Sequence, residues 1–149
     1  MARYRSVLGI LFAVVATFLV SCGGPQTAKV TTYTPEMLEQ IQILTPRVVG
    51  MRDRFPELEG YIQGKEWVNI RSFIHGPLGE IRLRLGRIAN QLLPSDVSQA
   101  KALIDDLSVH LEQLDAAAAE YDPVESGKQY RLALDDLNAF FELVPSAAE

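Results

Sequence analysis

Two histidines, one cysteine and several acid pairs are the residues of this 149-residue chain whose types and spacing suggest chemistry. His110 follows Asp106 by four residues, so on a helix both side chains share one face and could clip a zinc or copper ion. Two ligands do not make a structural metal site. His75 sits in His75-Gly76-Pro77-Leu78-Gly79, where the expected role is a ring that caps the backbone of a kinked helix. Asp105-Asp106 and Asp135-Asp136 are adjacent in sequence and diverge around a helix, which argues against paired acid–base work. The sequence has no Gly-rich phosphate loop, no His-Glu-x-x-His and no activated nucleophile. A phosphotransfer histidine favours a basic neighbour, but His110 is followed by Leu111-Glu112-Gln113. A haem bundle would draw on Met37 or Met51, yet both fall on an apolar stripe where filling space is the commoner job.

The single cysteine, Cys22, ends Leu19-Val20-Ser21-Cys22 and follows a basic, apolar leader. Arg3 and Arg5 form the positive start, Val7 to Val20 the apolar run, and small Ser21 precedes the cleavage point. At about 14 residues that run is too short to span a bilayer, which needs roughly 20. With Gly23-Gly24-Pro25 behind it, the motif reads as a bacterial lipoprotein signal. Cys22 then carries lipid, and no thiol remains for redox or metal chemistry. More than one acyl chain is the condition for stable anchoring.

Removing residues 1–22 takes away Arg3 and Arg5 but no acid, leaving 12 basic residues against 19 acidic ones. Nucleic acid is therefore excluded as the expected partner. The charge is uneven. Segment 65–92 holds Lys65, Arg71, Arg82, Arg84 and Arg87 against two acids, whereas 93–149 holds twelve acids against three bases. Residues 1–21 read as the signal peptide, 22–33 as the lipidated end and tether, and 34–149 as one domain. The eleven residues from Gly23 to Tyr33 would average roughly 18 Å as a coil and stretch to about 36 Å.

What must position these residues is a set of four apolar stripes at helical spacing. The first opens at Thr34-Pro35-Glu36 and runs from Met37 to Ile62 as one long helix, kinked by Pro46 and Pro56 and open to a break near Phe55-Pro56. The second runs from Trp67 to Leu92 and bends at His75, Gly76 and Pro77. Ser95 is the expected cap of the third, Val97 to Tyr121. Asp122-Pro123-Val124-Glu125 has the form of a capping box for the fourth, although Gly127 predicts that regular helix starts a few residues later. Pro145 ends it. Four such segments joined by short turns predict an all-α, up-down-up-down four-helix bundle.

Ile74-His75-Gly76-Pro77-Leu78-Gly79, preceded by Trp67 and followed by Leu92-Leu93-Pro94, His110-Leu111-Glu112 and Leu114-Asp115-Ala116-Ala117-Ala118, resembles the cyanobacterial PsbQ-like family. The landmarks recur in order from Thr34 to Pro145. The lipobox fits the cyanobacterial members, whereas plant PsbQ has no such cysteine, so the plant protein's N-terminal contacts do not carry over. The resemblance implies a four-helix bundle and a non-catalytic extrinsic subunit, lipid-anchored on the lumenal side of the thylakoid membrane. It implies a role in photosystem II: stabilising the oxygen-evolving complex and helping it retain calcium and chloride. The implied neighbours are the core antenna proteins, PsbO and PsbV. No cofactor is required, and zinc at Asp106 and His110 would be incidental. Arg71, Arg82, Arg84 and Arg87 are the expected docking residues, arginine being favoured at interfaces. The competing class is a free-standing, membrane-anchored lipoprotein that binds metal through Asp106 and His110.

Overall fold

Thr34 opens the first helix as the sequence predicts: its backbone is extended and its hydroxyl accepts the amide of Met37 at 3.3 Å. The computed structural model describes residues 31–146. The signal peptide, Cys22 and the tether up to residue 30 lie outside the described residues. The described residues form six α-helices: α1 (Pro35–Arg52), α2 (Phe55–Gln63), α3 (Trp67–His75), α4 (Ile81–Ala89), α5 (Val97–Ala119) and α6 (Pro123–Glu142). None of them is long and apolar enough to cross a membrane.

The predicted long first helix is two helices. Pro46 is absorbed inside α1, but the chain breaks at Asp53-Arg54, just before Phe55-Pro56. Pro56 has no amide to give the preceding turn and crowds it, so the ladder ends there and restarts with proline in the first turn of α2. The second segment is likewise two helices, and residues 76–80 form a turn rather than a bend. Its backbone closes tightly: a Cβ at Gly76 would lie 2.8 Å from the carbonyl oxygen of Ser72, and one at Gly79 2.6 Å from that of His75. The third helix is capped by Asp96 rather than Ser95, without a side-chain hydrogen bond.

The fourth helix starts earlier than Gly127 suggested, at Pro123, and runs through that glycine. The reason is Asp122, whose carboxylate accepts from the amides of Val124 at 2.9 Å and Glu125 at 3.0 Å. Glu125 does not complete the capping box; it accepts from Lys128 and Gln129 instead. Asp122→Ala should cost about 1 kcal/mol and lower the melting temperature by about 4 °C, read by circular dichroism.

The packing closes a ring. α1 lies on α4, α2 on α3, α3 and α4 on α5, α5 on α6, and α6 back on α2. The first and second segments are thus α1–α2 and α3–α4, and the predicted four-segment bundle stands. Phe55, Leu58, Ile70, Leu85, Ile88, Leu107, Leu114, Leu137 and Phe140 fill its centre. Each such side chain contributes about 1.5–3 kcal/mol on burial.

At one end of the ring, the α2–α3 and α5–α6 turns stop their helices in the same way. Glu66 donates to the carbonyl of Tyr61 and Lys65 to that of Ile62; Asp122 donates to Ala117 and Tyr121 to Ala118. This is the double hydrogen bond of a Schellman cap, whose left-handed residue is usually glycine. Here it is Lys65, at φ 53°, and Tyr121, at φ 60°. A side chain in that conformation costs about 1 kcal/mol or more.

Candidate functional site

The four arginines proposed for docking do not form one free face. On α3, Arg71 donates through Nε to Oδ1 of Asp115 at 3.1 Å, and His75 Nε2 meets the same oxygen at 3.0 Å. On α4, Arg82 reaches Asp105 at 2.7 Å, and Arg84 pairs with Glu80 one turn earlier. Arg87 is exposed and has no ion pair among the described residues. Arg71 and Arg82 are therefore committed to α5, although exposed pairs of this kind add only about 0–1 kcal/mol each to stability.

Asp106 and His110, the expected metal clip, both lie on α5. His110 Nδ1 turns to Asp136 on α6 at 2.7 Å, with both side chains about one-fifth exposed, while Asp106 stays at the surface. The α5–α6 interface is the most extensive in the bundle, so α6 supplies the nearer carboxylate. His75 also departs from expectation, since its ring meets Asp115 rather than helix backbone. No group of three or more His, Cys, Asp or Glu able to hold a metal occurs among the described residues. Nothing in the sequence marks Asp115 and Asp136 as the partners of these histidines. Their partners lie 40 and 26 residues away, and no local spacing signals a pairing that only packing creates.

The displaced ionisations have structural causes. Hydrogen bonds from Tyr61 and Arg54 hold Glu57 below the usual carboxylate range. Burial pushes the Tyr130 phenol up, helped by Glu59.

Apolar surface is concentrated elsewhere. A groove of about 690 Å³ between α1 and the end of α6 is lined by Ile41, Pro46, Val49, Phe141 and Val144, among others. Arg52 stacks over Phe141 there, its guanidinium carbon 4.7 Å from the ring centre. At the end of the bundle carrying the two left-handed caps, Val68, Tyr121 and Val124 are 77%, 68% and 79% exposed. The Tyr121 ring meets Trp67 edge-on, with centroids 5.8 Å apart. Between α3 and α5 a groove of about 370 Å³ runs beside this pair, with Arg71 and His75 on its wall.

A ring of helices whose polar groups pair off across helix boundaries, and whose remaining features are exposed patches, has the build of a docking subunit. A family model described as PsbQ, oxygen evolving enhancer protein 3, matches residues 2–145. The chain is also 40% identical over 149 residues to CyanoQ from Synechocystis sp., covering 99% of this chain and 100% of that protein. The chain belongs to the PsbQ family, which makes it an extrinsic subunit of photosystem II and not an enzyme.

Proposed function

We propose that this subunit is held at the lumenal face of the thylakoid membrane by lipid on Cys22, and docks on the core antenna beside PsbO and PsbV. There it stabilises the oxygen-evolving complex and helps it retain calcium and chloride. The carrying observation is full-length similarity to the PsbQ family in a chain that also bears Leu19-Val20-Ser21-Cys22 ahead of the bundle. Anchoring raises the local concentration at the membrane, so a modest protein interface is enough. Of the four arginines on α3 and α4, Arg87 is the one with no internal ion pair among the described residues. The metal-binding alternative would have to use Nε2 of His110, because its Nδ1 is engaged by Asp136.

Photosystem II isolated from the native organism should contain this protein in stoichiometric amount, acylated at Cys22, when analysed by mass spectrometry. Recovery in bulk membrane but not in active complexes would reject the photosystem II assignment. An unmodified Cys22 would reject the anchor.

A further inference from the structure

We propose that the end of the bundle formed by Trp67, Val68, Tyr121 and Val124 is the docking surface, and that it receives a protein segment presenting an apolar side chain beside a carboxylate. The inference rests on the photosystem II reading above and specifies its contact.

Tyr121 carries the argument. Its backbone occupies the left-handed position that ends a helix, where glycine fits without strain. Yet the position holds a tyrosine whose side chain is mostly in solvent. Core packing does not account for a large ring kept at a strained position and two-thirds exposed; what it presents outward does. Backbone outliers of this kind collect at binding sites. Its edge-on contact with Trp67 fixes the ring in place, so little side-chain freedom is lost on binding. Val68 lines the same groove, and Val124 is exposed in the first turn of α6, three residues after Tyr121. Tyrosine and tryptophan are the residue types that anchor interfaces.

The groove beside this pair selects the partner's chemistry. Its lining is Trp67, Val68, Ser72, Ala118, Ala119 and Tyr121, with Arg71 and His75 as its charged or chargeable side chains and no acid among the liners. Arg71 gives only Nε to Asp115, which leaves the two terminal nitrogens of its fork to a second carboxylate. An apolar floor beside the free terminal nitrogens of Arg71 fits an apolar residue next to Asp or Glu. The chain enters at Thr34, and segment α1–α2 carries it from there to the docking end, about 43 Å away at 1.5 Å per residue. An anchor at Cys22 ties the opposite end to the membrane.

The test uses the mature full-length chain and photosystem II membranes stripped of extrinsic subunits by salt. Wild type should rebind saturably. Tyr121→Gly, which the backbone accepts, and Val68→Glu should each weaken rebinding by more than about tenfold, the scale of losing an anchor residue. Leu83→Glu, an exposed apolar position on α4, should rebind like wild type. All three should melt within a few degrees of wild type. Rebinding by Tyr121→Gly and Val68→Glu at wild-type affinity would overturn this inference and leave the photosystem II reading intact. Failure of wild type to rebind would overturn both. Wild-type binding to vesicles of thylakoid lipid that both variants lose would make the patch a membrane contact and reject the protein partner. Rebinding indifferent to added sodium chloride would remove the carboxylate.

Discussion

Phe55→Ala is expected to lose about 4 kcal/mol of stability, the largest effect of any single substitution considered for this bundle. Phe55 is fully buried and is the first residue of α2, immediately after the break in the first segment. Its ring lies 6.0 Å from that of Tyr130, so it ties the broken segment to α6 at the contact that closes the ring. Removing it takes away transfer energy and leaves a cavity bounded by helices that cannot close independently. Urea unfolding followed by circular dichroism would measure the loss. A cost below about 1.5 kcal/mol would mean that the joint at Asp53-Arg54 lets α2 settle into the space.

Gly79→Ala is expected to cost about 2–3 kcal/mol, in the range of forced overpacking. The added Cβ would lie 2.6 Å from the carbonyl oxygen of His75, and this neighbour is backbone, which cannot swing aside as a side chain would. Pro77→Ala should stay within about 1 kcal/mol, because its main effect is on the freedom of the unfolded chain. The comparison separates two accounts of the His75–Gly79 turn. If glycine closeness sets the geometry, the order is Gly79 well above Pro77; if the proline ring sets it, the order reverses.

The sequence made the four segments legible because amphipathic spacing is local and survives without knowledge of the fold. Both prolines in the first segment predict a kink and Pro56 alone leaves a break open; Pro46 is tolerated and Pro56 marks the break. What separates them is tertiary: Phe55 at the break is fully buried and anchors the new helix in the core. Gly127 misled for the opposite reason, since the carboxylate of Asp122 starts the helix strongly enough to carry it through a poor helix former. The site was less legible. Four arginines read as a face because charge was counted along the chain, whereas Asp115 and Asp105 claim two of them from a helix that lies next to them only after folding. Tyr121 read as the last residue of the third inward stripe, yet it is mostly exposed, because a left-handed backbone that turns it out of the helix is invisible unless a glycine announces it.

The bundle is also unequal in its mechanics. Its first two segments are jointed rods, interrupted at Asp53-Arg54 and at residues 76–80, whereas α5 and α6 run unbroken for 23 and 20 residues. An intact hydrogen-bond ladder resists bending, and joints absorb it. The molecule is therefore a compliant pair of rods splinted by a stiff pair. The ion pairs of Asp115 and Asp105 with Arg71 and Arg82, and the contact of His110 with Asp136 on the far side, link α5 to its neighbours. Trp67 sits where the two jointed rods meet and Tyr121 where the two stiff ones meet, so a partner seated on both would clamp the compliant half to the stiff half at one end of the bundle.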